Sequence, residues 1–100
     1  MTKRLVYSGQ ARIDLEEIFS FIAADNPTRA GAYVADIEAA CEKLSDTPMI
    51  GMARPDLRPD LRIVTFRRRV VIAYRVLPDH LEILRVFTGG RDYETIMGSD

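Results

Sequence analysis

One cysteine, one histidine and no tryptophan occur among the 100 residues of this chain. A single cysteine excludes an internal disulfide and fits a reducing, cytoplasmic setting. One histidine and one cysteine fall short of a structural zinc site, so neither a metal nor a cofactor is expected. No apolar run approaches the ~18 residues of a membrane span, and no charged-then-apolar leader opens the sequence. Repeats, low-complexity tracts and linkers are missing too, so residues 1–100 read as a single domain with one modest core. With 47% hydrophobic and 29% charged residues, the composition is that of a globular protein, not of a disordered one.

Catalytic patterns are equally scarce. Gly89-Gly90 is the only pair of adjacent glycines, and it leads to no Lys-Ser/Thr and no long helix, so a phosphate-cradling loop is absent. Ser8, Ser20, Ser45 and Ser99 lie in no nucleophile-elbow context, and His80 has no serine or cysteine partner in view. No catalytic residues are assigned from the residues alone.

What is present is a switch of period. Residues 3–7 are short and β-prone, an opening strand. Ser8 is positioned to cap a helix whose apolar stripe is Ala11, Leu15, Ile18, Phe19 and Ile22, with Arg12, Asp14, Glu16 and Glu17 facing away as an acidic, solvated patch. Asn26-Pro27 then reads as the cap and first position of a second helix. Its stripe is Tyr33, Val34, Ile37, Cys41 and Leu44, which makes Cys41 a buried small hydrophobe. Pro48 and Gly51 mark its exit. Residues 49–60 read as a loop, with Met49 and Met52 closing the core.

Leu61–Phe66, Val70–Val76 and Leu81–Thr88 are β-branched and aromatic runs joined by turns too short for parallel crossovers, hence an antiparallel meander. Tyr7 and Tyr74 fall inside strands. Residues 92–97 suit one helical turn, anchored by Tyr93. The predicted order is β-α-α-β-β-β, an α+β two-layer domain with a helical hairpin packed on an antiparallel sheet.

The net charge of −1 hides an asymmetry. Residues 54–75 contain seven arginines and only two aspartates. In a meander, the end of its first strand, the start of its second and the end of its third share one edge. Arg67, Arg68, Arg69 and Arg91 therefore converge there, whereas His80 lies at the opposite edge. Guanidinium groups suit carboxylates and phosphates, so this rim is a candidate target-binding surface. Solubility of the sheet edge is the alternative.

The ordered pieces Tyr7-Ser8-x-x-Ala11-x-x-Asp14-Leu15-x-x-Ile18, Ile22-Ala23-x-Asp25-Asn26-Pro27, Leu44-x-x-x-Pro48-x-x-Gly51, Leu61-Arg62, Ile72-x-Tyr74-Arg75-Val76 and Ile83-Leu84-x-Val86 resemble the ParE toxins of the RelE/ParE superfamily. The similarity spans about residues 4–92. It implies the toxin half of a bacterial type II toxin–antitoxin module, held in a hetero-oligomer by a ParD-like antitoxin of the ribbon-helix-helix type.

One branch of that superfamily cuts mRNA on the ribosome, and the other is thought to poison DNA gyrase without hydrolysis. Two lysines of the nuclease branch correspond to Arg62 and Val64, a further arginine to Val71 or Ile72, and the last arginine to Arg91. Valine moves no protons, so the gyrase branch is favoured. An endoribonuclease using Arg62, Arg91 and Tyr93 is the alternative, as is an inactive antitoxin-binding member. Phe21, Ala24, Ala32 and Ala35, off the main helical stripes, are the candidate antitoxin-binding residues, with a shallow groove expected among them.

Overall fold

The computed structural model describes residues 3–89 and 92–98. Its elements in order are β1 (Arg4–Tyr7), α1 (Gly9–Ala23), α2 (Pro27–Asp46), β2 (Met52–Ala53), β3 (Leu61–Phe66), β4 (Val70–Val76), β5 (His80–Phe87) and α3 (Tyr93–Gly98). Both long helices start where the capping residues require. Ser8 Oγ accepts the Ala11 N–H at 3.0 Å, and Asn26 Oδ1 accepts that of Arg29 at 3.1 Å, with Pro27 at the first helical position. Asp92 does the same for α3, taking the Thr95 N–H at 3.2 Å, so the anticipated tail helix forms one residue further on.

The sheet order is β1-β5-β4-β3-β2. The three meander strands pair antiparallel, with Phe66 opposite Val70 and Val76 opposite Leu81. β1 lies parallel to β5, with Tyr7 opposite Ile83. The parallel pair is possible because the whole helical hairpin serves as the crossover from the β1 edge. The expected loop over residues 49–60 is interrupted by β2, which pairs Met52 with Ile63 and Ala53 with Arg62.

Alternation along the strands sorts two apolar layers. On one face, Val70, Ile72, Tyr74, Leu81, Ile83 and Val86 meet Ala11, Leu15, Ile18, Ile37, Cys41 and Leu44 of the hairpin. On the other, Leu61, Ile63, Ala73 and Phe87 are covered by Met97, with Leu57 and Tyr93 packed around them. α3 and the segment around Leu57 thus cover the sheet face that the hairpin leaves bare. Tyr93 is the anchor foreseen, its ring 6.3 Å from that of Phe87.

Three helix and loop assignments change. Phe19 is 41% exposed, because it lies about 100° round the helix from Ile18 and off the line through Ala11, Leu15 and Ile22. Met49 and Met52 do not close the core. Both stand out in solvent with Ile50, since Tyr74 and Arg62 grip the loop from beneath by its main chain. The Tyr74 hydroxyl accepts the Gly51 N–H and donates to the Pro48 carbonyl, each at 2.8 Å, while Arg62 donates to the carbonyls of Met49 and Gly51.

Asp14 is the third correction. Helical periodicity places it on the solvated face, yet it is 3% exposed. Its carboxylate accepts Arg85 Nε at 2.8 Å, Arg85 Nη2 at 3.0 Å and the Val86 N–H at 2.9 Å. β1 ends at Tyr7, so β5 runs on without a neighbour on that side, and α1 folds back over the bare edge. Asp14 supplies the acceptor that a strand would have supplied.

Candidate functional site

The tight connection of β3 to β4 places Arg67, Arg68 and Arg69 together at one end of the sheet, all exposed. Arg67 and Arg68 hold positive φ, 53° and 64°. That region is costly for a side chain with a Cβ and is normally given to glycine, asparagine or aspartate. Two successive arginines there are a local conflict between backbone geometry and residue type. Such conflicts persist at functional positions, because packing alone would have favoured glycine.

The three side chains differ in what they touch. Arg67 pairs with Asp36 of α2 at 2.8 Å and lies over the Phe66 ring at 5.0 Å. Arg68 and Arg69 make no ion pair or hydrogen bond among the described residues. Arg91, expected at the same rim, lies outside the described residues. His80 sits at the far end of β5, as anticipated, and there it stands opposite Arg4 and bonds to Asp79.

A cleft flanks the turn on each side. The larger, about 850 Å³, lies between the hairpin and the ends of β4 and β5, lined by Ile18, Phe21, Tyr33, Arg29, Arg69 and Val86 among others. Phe21 is 83% exposed there. The smaller, about 370 Å³, lies between α2 and β3 and has Arg67 on its rim. Among the candidate antitoxin-binding residues, Phe21 belongs to the larger cleft. Ala24, Ala32 and Ala35 are exposed and line neither cleft.

Of the residues of the nuclease alternative, Arg91 lies outside the described residues, and Arg62 and Tyr93 stand on opposite faces of the sheet. Arg62 shares the helix-side face with Val64 and Phe66, and its guanidinium is spent on loop carbonyls. Tyr93 packs on the opposite face beside Phe87, within reach of Arg54 Nη1 at 3.4 Å. Arg54 in turn joins Asp56 and Glu94, an arrangement that ties α3 to the loop before β3. No group of three metal-ligating side chains occurs among the described residues.

Cys41 is buried in the core, and Tyr7 packs partly buried against the same cluster. Burial pushes the Cys41 thiol up to about 11 and the Tyr7 hydroxyl well above its ordinary range. Burial also raises Tyr74, against the lowering effect of the Gly51 N–H.

Residues 5–93 match the family model described as the ParE toxin of the type II toxin–antitoxin system parDE. The chain is 31% identical over 86 residues to the toxin ParE3 of Caulobacter vibrioides, covering 85% of each protein. A solved structure described as the chromosomal ParDE toxin–antitoxin system from P. aeruginosa aligns with a TM-score of 0.74 and 26% identity, over 87% of this chain and 96% of that one. Among the described residues, no helix is long and apolar enough to cross a membrane.

Proposed function

Because the chain belongs to the ParE toxin family of type II toxin–antitoxin systems, we propose that it acts in the cytoplasm by binding DNA gyrase, with no catalysis of its own, and that a cognate ParD-like antitoxin holds it inactive. The observation that carries this reading is the arginine turn. Arg68 and Arg69 are exposed cations with no ion pair among the described residues, and Arg68 is held in backbone that glycine would adopt more cheaply. A surface of this kind attracts and orients a macromolecule through charge; it does not shuttle protons, since guanidinium stays protonated at every physiological pH.

The separation of Arg62 and Tyr93 onto opposite faces supports the same reading against the ribosomal nuclease. RNA cleavage needs its base, its acid and its phosphate cation around one phosphodiester. The antitoxin reading is supported by the two clefts beside the turn. A segment lying over either one approaches the arginines and screens them.

The direct test is a supercoiling assay with purified gyrase. Toxin added in excess is expected to stop supercoiling and accumulate cleaved DNA, and Arg67, Arg68 and Arg69 replaced together by serine should abolish this while the fold is kept. Undisturbed supercoiling by the folded parent protein refutes the reading.

A further inference from the structure

Four methionines occur in the chain. Met1 lies outside the described residues, and Met97 is buried in the layer of Leu61, Ile63 and Phe87. Met49 and Met52 are 63% and 59% exposed. A thioether ordinarily fills gaps in a core, so two of them facing water need a cause. The cause is the way the loop is held. The Tyr74 hydroxyl bonds the Gly51 N–H and the Pro48 carbonyl, and Arg62 Nη1 donates to the carbonyls of Met49 and Gly51. A Cβ on Gly51 would stand 2.5 Å from Tyr74 Oη, so this close seating requires glycine. All four bonds end on main-chain atoms of the loop, and the ladder contact of Met52 with Ile63 is a main-chain one too. They place the backbone without drawing on either sulfur, and leave Met49, Ile50 and Met52 turned outward.

The rival target of an oxidant is the one thiol. A peroxide attacks a thiolate first wherever it can reach one. Cys41 is fully buried on α2, and burial raises it to about 11, so it keeps its proton at neutral pH. A thioether has no proton to lose, and its oxidation follows access. The sulfurs that water and small oxidants reach in the folded chain are therefore those of the loop.

We propose that Met49 and Met52 form a site of reversible oxidation, at which hydrogen peroxide turns an apolar surface loop polar while the fold stays intact. In the forward step a sulfur lone pair attacks one peroxide oxygen. The O–O bond breaks, an S–O bond forms, sulfur gives up two electrons and the other oxygen leaves as water. In the return step two thiols of a sulfoxide reductase supply two electrons and end as a disulfide, and the oxygen leaves as water. Each sulfoxide is polar where the thioether was not, so of three outward apolar side chains only Ile50 keeps its character. The grip of Tyr74 and Arg62 is untouched, because it never involved the side chains that change. Met97 is the contrary case: an oxygen there would enter the apolar layer beside Phe87 and disrupt it. The inference goes beyond the gyrase reading and does not depend on it.

The test treats the folded full chain with hydrogen peroxide at neutral pH and follows each sulfur by peptide mass spectrometry. One oxygen on Met49 and one on Met52 are expected at least about tenfold sooner than any on Met97 or Cys41. Circular dichroism and Tm of the product should match those of the parent, and its retention on a hydrophobic-interaction column should fall. The two methionine sulfoxide reductases, one for each sulfur epimer, should together restore mass and retention. Met49→Leu combined with Met52→Leu keeps the apolar loop but offers peroxide no sulfur there, so its retention should not change on treatment. Oxygen on Met97 or Cys41 as early as on the loop, a Tm lowered by loop oxidation, or retention that loop oxidation leaves unchanged overturns the proposal. So do sulfoxides that the reductases cannot remove from the folded chain.

Discussion

Replacing Asp14 by alanine should be among the most damaging single changes available to this fold. Its carboxylate is 3% exposed and accepts three hydrogen bonds, two from Arg85 and one from the Val86 main chain. Truncation leaves a guanidinium whose side chain is only 18% exposed, and a strand amide with no acceptor. Removing one partner of a buried pair costs about 3–5 kcal/mol, of which the orphaned amide accounts for roughly 1–3. A domain of this size holds about 5–15 kcal/mol in all. Asp14→Ala should therefore lower Tm by about 12 °C or more.

Urea unfolding followed by helical circular dichroism measures the loss, since the chain has no tryptophan to report it. A second variant isolates the cause. Asp14→Leu combined with Arg85→Met removes both charges and keeps the volume, so it should recover all but the roughly 1–3 kcal/mol of the Val86 amide. A loss below about 1 kcal/mol for Asp14→Ala, or a double variant no better than the single one, would show that the pair does not hold α1 to β5.

Two further outcomes follow from strain and from burial. Arg68→Gly relieves a left-handed arginine worth roughly 1–2 kcal/mol, against about 0.5–1 kcal/mol of added chain entropy, so the fold should gain up to about 1.5 kcal/mol while target binding weakens; a less stable variant in thermal melts contradicts the strain argument. The Cys41 thiol, raised by burial from 9.0 to about 11, keeps its proton in the folded state after the unfolded chain has lost it. Stability should thus be unaffected below pH 9 and fall by at most about 1.4 kcal/mol per pH unit between 9 and 11, with Tyr7 adding a fall of the same sign at the alkaline end. Denaturation curves that do not change across that window would refute the assignment.

The helical hairpin was legible because its boundaries are local. Ser8, Asn26 and Pro27 act on groups within three residues of themselves, so their chemistry can be read without the rest of the fold. The meander was legible for the same reason, since each turn is short. The parallel partnership of β1 with β5 joins residues 76 apart in sequence, as in Tyr7 opposite Ile83, and no local signal encodes it. Asp14 was misread because periodicity assigns a carboxylate to solvent by type. The contrary signal was its spacing, three residues after Ala11 and four before Ile18, on the flank of the buried stripe.

The arginines show what sequence can and cannot say about a site. Their density between residues 54 and 75 is plain, but density is not availability. Arg54 binds Asp56 and Glu94, Arg62 holds two loop carbonyls, Arg67 pairs with Asp36 and Arg75 with Glu82. Each of those charges is occupied in fixing one segment against another. Arg68 and Arg69 are different: neither has a partner among the described residues, and Arg68 also sits in backbone that disfavours it. A stabilising role would have placed a carboxylate within reach, and a purely local turn would have used glycine. The combination of unmet charge and unfavoured backbone is what singles out this turn, and only the folded geometry supplies both halves of it.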